Sequence, residues 1–242
     1  AFALLVAACD KHAPSTKDGK TGDAESQAAV AALDKRFAAI SDFTLTGTAE
    51  QGSDKLAFSY AMKQPTYVKA TLGTHAIVFD GKAMLITDSA QKSAQRRDLA
   101  TVDDASKLMM MHEAFARFTC EGWRPPLLRP SGFSTKRDTT GHWVISVPID
   151  DAVLRAQQLV LKAPSGEFVS KSIVDKAGQT VSSTKVTAEA VDATTHLEVP
   201  MAWESKDSDG NVLKLHVDSA VVNGGASGFS TDIPAGYTEV KP

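Results

Sequence analysis

Cysteine is scarce in this chain, and two thiols in 242 residues exclude a disulfide-braced scaffold. Long apolar runs are missing too. None reaches about 18 residues, which excludes a spanning helix. Neither sign of charge dominates. The 26 basic and 29 acidic residues give a formal net charge of −3, so the clustered Lys and Arg that neutralise a phosphate backbone are not supplied and nucleic acid is not an expected partner. The six histidines, His12, His75, His112, His142, His196 and His216, form no HxxxH or HExxH spacing, so no helix offers two imidazoles to one metal. His112-Glu113 reads as a helix-surface pair. There is no GxSxG elbow. Gly224-Gly225-Ala226-Ser227-Gly228 follows a strand but opens no helix, and reads as a loop. In Asp207-x-Asp209-Gly210 the glycine comes directly after the second Asp and no Glu closes a calcium pattern, so a hairpin turn is expected. Catalytic residues, metal and cofactor are all expected to be none, and the chain is not expected to be an enzyme.

What is present suits a folded core: 43% of residues are apolar and 23% charged. The opening AFALLVAAC has the order of a secretory signal's end, with an apolar run, the small pair Ala7-Ala8, then Cys9 and an immediate polar turn. It resembles the lipobox of bacterial lipoproteins, which implies residues 1–8 as the end of a signal peptide and Cys9 as the lipid attachment residue. An ordinary signal peptide or a chance Ala-Ala-Cys is the alternative. A thiol suits acylation because sulfur is a strong nucleophile. A diacylglyceryl group would tether the chain to a membrane without spanning it. Cys120 would then be an odd thiol, either buried and inert or joined to a second molecule. Residues 10–23 contain no large apolar side chain and read as a flexible linker, reaching on the order of 50 Å when extended.

From Glu25 the pattern becomes helical. Ala28, Ala29, Ala32, Leu33, Phe37 and Ile40 recur at three- and four-residue steps, with Asp34, Lys35 and Arg36 between them, predicting an amphipathic helix that ends near Ser41. The period then switches to two. Residues 43–48 and 56–62 read as antiparallel strands joined by a turn at Gln51-Gly52-Ser53-Asp54. Residues 66–72 make a third strand, and 76–79 and 83–86 flank an Asp80-Gly81 hairpin turn. Residues 102–118 predict a second helix, capped by Asp103 or Asp104, with Leu108, Met111, Phe115 and Phe118 at helical spacing. A long β half follows, marked by alternation at Trp143-x-Ile145-x-Val147, at Leu159-x-Leu161, from Leu197 to Trp203 and from Leu213 to Val221. Eight or more meandering strands with two inserted helices predict one α+β domain over residues 24–242.

Large, pliable apolar residues gather on these strands and on the middle helix. They are Leu45, Leu56, Phe58, Tyr60, Met62, Phe79, Met84 and Ile86, with Leu108, Met109, Met110, Met111 and Phe115. Core packing is the plain explanation. Three consecutive methionines, however, fan out by about 100° per residue and cannot all face one core. Thioether side chains suit surfaces that accept variable apolar ligands, so a ligand cavity or apolar opening under the helix is expected.

The order of elements resembles the LolA/LolB-like superfamily of bacterial lipoprotein-sorting proteins. The likeness rests on Lys63-Gln64-Pro65-Thr66-Tyr67 after a strand, on the hairpin around Asp80-Gly81-Lys82, on Val174-Asp175-Lys176-Ala177-Gly178 and on the closing Phe229-Ser230-Thr231-Asp232-Ile233-Pro234-Ala235-Gly236. The cavity arginine of LolA has no counterpart in the first two strands, nor is the exposed leucine of the LolB loop evident at 51–54. The resemblance implies a strongly curved antiparallel sheet, an incomplete barrel whose concave face is covered by helices and holds acyl chains. It implies a monomeric, lipid-anchored protein of the bacterial cell envelope, facing the periplasm or the exterior. Such a protein would bind a lipid acyl chain or a lipoprotein and serve lipid or lipoprotein transport. An RseB-like module that binds a protein on the same fold is the alternative.

Overall fold

The computed structural model describes residues 24–64, 66–103, 107, 133–149 and 151–240. The expected first helix is α1, Ala24–Ala38, with Glu25 in its first turn and Lys35 and Arg36 in its last, the polarity that complements the helix dipole. It ends before Ser41 because Ile40, with no exposed surface, already belongs to the sheet core. Its buried stripe is Ser26, Ala29, Val30, Leu33 and Arg36. This corrects the sequence assignment in two places: Ala28 faces solvent, and Arg36 is buried, 3.7 Å from the Glu167 carboxylate.

Fourteen strands follow: β1 Asp42–Gln51, β2 Asp54–Lys63, β3 Tyr67–Leu72, β4 His75–Phe79, β5 Ala83–Asp88, β6 Ser93–Asp98 and β7 Ser134–Arg137, then β8 Trp143–Pro148, β9 Leu154–Leu161, β10 Phe168–Asp175, β11 Thr180–Val191, β12 Glu198–Lys206, β13 Val212–Val222 and β14 Thr238–Glu239. They hydrogen-bond in the order β14-β6-β5-β4-β3-β2-β1-β13-β12-β11-β10-β9-β8-β7, an open sheet with β14 and β7 at its ends. The short β14–β6 pair is parallel, whereas the sequential hairpins are antiparallel. Of the expected second helix, only Val102, Asp103 and Lys107 are described. There the Lys107 amide donates to the Asp103 carbonyl at 3.0 Å, the bond of a first helical turn.

The chain divides into two compact units. The first takes the residues before Ile40, the stretch ending at Glu189, and Ala202–Lys214. The second begins at Ile40 and also takes Ala190–Met201 and Leu215 onwards.

In the first unit α1 packs against β7 and β8. The Trp143 indole N–H donates to the Glu25 carboxylate, and Arg137 donates to the same carboxylate at 3.3 and 3.1 Å with its guanidinium 5.3 Å from the Trp143 ring centre. The Ser26 hydroxyl donates to Thr135 at 2.8 Å. Beneath them, Trp143 lies opposite Leu161 and Ile145 opposite Leu159, all four buried. Burying each such side chain contributes about 1.5–3 kcal/mol.

In the second unit β1 to β6 form a meander of tight hairpins. At the β4–β5 turn the Asp80 carboxylate accepts the amides of Lys82 and Ala83 at 2.8 and 2.7 Å, and Gly81 has φ +84°. A Cβ at Gly81 would meet the Thr66 hydroxyl at 2.5 Å, so glycine is required for space as well as conformation. The C-terminal segment then crosses one face of this meander. Its Phe229, Ile233 and Tyr237 pack on Val78, Leu85 and Ala94. The Arg96 Nε donates to the Thr231 carbonyl at 3.1 Å, and the Thr231 hydroxyl donates to Asp80 at 2.8 Å. At the segment's root the buried Asp42 carboxylate accepts the Gly225 and Ala226 amides, both at 2.9 Å. The glycine-rich loop at 224–228 is therefore a loop, as expected, and two of its amides are used internally.

Candidate ligand-binding face

Register decides which side chains of the second unit share a face, because successive residues on a strand point to opposite sides. Three lines of partners run from β1 to β6. The innermost is Phe43, Met62, Val68, Phe79, Met84 and Arg97. The middle line is Leu45, Tyr60, Ala70, Ile77, Ile86 and Gln95, and the outer line is Gly47, Phe58, Leu72, His75, Asp88 and Ser93. Leu56 lies one step beyond the outer line, opposite Ala49.

All eight strand residues singled out in the sequence, Leu45, Leu56, Phe58, Tyr60, Met62, Phe79, Met84 and Ile86, therefore fall on one face of this meander. Leu45, Phe58, Tyr60, Met62, Phe79 and Met84 are buried, Ile86 is half-buried and Leu56 is 43% exposed. Phe43 stacks on Tyr60 with ring centres 5.3 Å apart. Val78, Leu85 and Ala94 point to the opposite face, which is the one covered by the C-terminal segment.

Sequence reasoning missed Phe43, Val68, Ala70, Leu72 and Ile77 as members of the same face. The signal was available, since pairing across the Asp80-Gly81 turn puts Ile77 opposite Ile86. It also missed Gly47. A Cβ there would overlap the backbone carbonyl oxygen of His216 on β13 and come within 2.9 Å of the Phe58 ring, so glycine lets β13 approach the apolar face closely.

Two features bring polarity to this face. Arg97 ends the innermost line and is exposed. At the outer line the His75 Nδ1 lies 3.9 Å from Asp88 Oδ2. Desolvation pushes the Asp88 carboxyl up, but the Gln91 and Ala90 amides, His75 and the Thr74 hydroxyl together hold it below its ordinary value. His142 sits in a turn with Asp138 and Thr140, its Nδ1 2.9 Å from the Thr140 hydroxyl. The Asp207 carboxylate accepts the Asp209 and Asn211 amides at 3.0 and 2.9 Å, the hairpin turn the sequence suggested. Among the described residues no group of three or more His, Cys, Asp and Glu is placed to hold a metal. Cys9, the linker at 10–23, Leu108, Met109, Met110, Met111, His112, Phe115 and Cys120 lie outside the described residues.

No protein-family model and no curated protein matches the chain. Among solved structures, a DUF1329 family protein from Desulfovibrio piger superposes with a TM-score of 0.58 at 9% identity, over 86% of this chain and 95% of its own. A protein described as an outer membrane lipoprotein-sorting domain, from Vibrio parahaemolyticus, superposes with a TM-score of 0.55 at 11% identity, over 84% and 95%. At such identities the likeness is one of fold. The chain has the open, mostly antiparallel sheet of the lipoprotein-sorting domain, the fold class its sequence resembles.

Proposed function

We propose that this chain binds acyl chains, of a lipid or of a lipidated protein, on the apolar face of β1 to β5 without chemical turnover. In this reading it acts as a monomeric protein of the bacterial envelope, moored through Cys9. The observation that carries the reading is the shared face itself. Eight large apolar residues gather on one side of the meander, while on the other side the protein's own C-terminal segment packs on Val78, Leu85 and Ala94. The lipoprotein-sorting fold supports it, because it is the fold of a protein described by that role. Leu108, Met109, Met111 and Phe115 are proposed to complete the site. Each buried methylene contributes about 0.8 kcal/mol, so roughly ten methylenes contribute about 8 kcal/mol before the cost of ordering the ligand.

Organic extraction of the full chain purified from its native host, followed by mass spectrometry, tests the proposal. The expected result is about one releasable acyl species per chain, as for a single site. Intact mass should show a diacylglyceryl adduct on Cys9. A chain that yields no extractable lipid and takes up none from vesicles contradicts acyl binding, and an unmodified Cys9 contradicts the mooring.

A further inference from the structure

Two cations meet at one corner of the apolar face. Register places Arg97 opposite Met84 on the innermost line. One step further along, the Leu99 amide donates to the Lys82 carbonyl at 2.8 Å, which continues the pairing of β5 with β6 and sets Lys82 opposite Leu99. Alternation then puts Lys82, just before β5, on the side of Met84 and Ile86, and Leu99 on the side of Arg97. Lys82 and Arg97 are therefore diagonal neighbours, roughly 7–8 Å apart, a spacing that long side chains bridge. Both are exposed, whereas Met84 and Leu99 beside them are buried.

No hydrogen bond or ion pair engages the Arg97 guanidinium or the Lys82 ammonium among the described residues. The carboxylates next to them in the chain are committed elsewhere. Asp98, which alternation turns to the opposite face, accepts the Ala100 amide at 2.8 Å, and Asp80 accepts the Lys82 and Ala83 amides and the Thr231 hydroxyl. Arg96 is the contrast, since its Nε donates to the Thr231 carbonyl at 3.1 Å on that opposite face. Asp88, on the same face as Arg97, lies four residues along β5 from Met84, about 13 Å away at the usual strand rise. Like charges this close repel each other, and an anion between them relieves the repulsion.

We propose that Arg97 and Lys82 hold the oxyanion head group of an amphiphile, and that its chain runs from them over Met84 towards Ile86 and Ile77. The guanidinium fork matches two oxygens of a carboxylate or a phosphate at once, the ammonium adds a point charge, and hydrocarbon begins directly beyond them at Met84. A cationic head is repelled at this corner. This rests on the acyl-binding reading above and adds the charge and direction of the bound molecule.

Calorimetry of the full chain with dodecanoate, dodecyl phosphate and dodecyltrimethylammonium, each below its micelle concentration at neutral pH, tests it. The wild-type chain is expected to bind both anionic probes about tenfold more tightly than the cationic one, the scale of one charge-assisted hydrogen bond. The tighter of the two anionic probes assigns the head as carboxylate or phosphate. Acetate and inorganic phosphate should bind about a hundredfold more weakly or not at all, because the chain supplies most of the affinity. Arg97→Gln should reduce the anionic preference to about threefold or less, and Lys82→Gln should weaken binding of the anionic probes by about threefold. Lys136→Gln, the same charge change on β7, should leave the preference intact. Equal binding of anionic and cationic probes, tighter binding of the cationic one, or a preference that survives Arg97→Gln overturns the head-group assignment while acyl binding stands. Binding of none of the three amphiphiles overturns both.

Discussion

Single side chains show where alternation is informative and where it misleads. The eight strand residues picked from the sequence share a face because a period of two leaves no other arrangement once the hairpin register is fixed. Gly47 was not legible in the same way. Inside an alternating run it reads as a gap, and only the approach of the His216 carbonyl explains it. Gly47→Ala is expected to lower stability by about 3 kcal/mol in urea unfolding, the upper end for forcing a methyl into a filled site. An unchanged midpoint would mean that β13 does not approach at this point. Arg36 is the converse case. Its charge suggested the solvent face of the helix, but its pairing with Glu167 buries it, and pairwise contacts across the fold cannot be read from local spacing.

Elements were legible in proportion to their apolar content. The strands with alternating large residues were evident, whereas β6 (SAQRRD), β7 (STKR) and most of β11 (TVSSTKVTAEAV) carry polar residues on both faces and offered no period to detect. The closing motif of the sequence resemblance acquires a physical basis, since its Phe229 and Ile233 are two of the side chains that seat the C-terminal segment on Val78, Leu85 and Ala94. The segment is also tied to Asp80. Burial pushes that carboxyl up, but the Ala83 and Lys82 amides, the Thr231 hydroxyl and Arg96 outweigh it and hold it below its ordinary value. A carboxyl depressed by folding stabilises the folded state above its unfolded value of about 3.9, and that contribution is lost as the pH falls through its lower folded value. Thermal unfolding should therefore show the midpoint dropping below about pH 4. Thr231→Val should lower the neutral-pH stability by about 1 kcal/mol, a discounted figure because the carboxylate is largely solvated, and should shallow the acid limb. A variant with the wild-type midpoint and the same acid limb would show that the Thr231 bond does not fasten the segment.

Across the chain as a unit of function, the sequence disclosed the fold class and eight strand residues that share one face. Their binding role, the part proposed for Leu108 to Phe115, and the anchor at Cys9 are proposals argued from composition and resemblance. The meeting of Lys82 and Arg97 escaped sequence reading because the two come together only through the register of β5 and β6. Binding by the apolar face is tested most directly by photocrosslinking the full chain with a palmitoyl probe bearing a diazirine near its chain end, then mapping the adducts by peptide mass spectrometry. Saturable labelling within residues 58–62 and 77–86, competed by unlabelled lipid, is the expected result. Labelling that does not saturate, or that falls instead on the opposite face and on exposed Val153 and Val191, would contradict it.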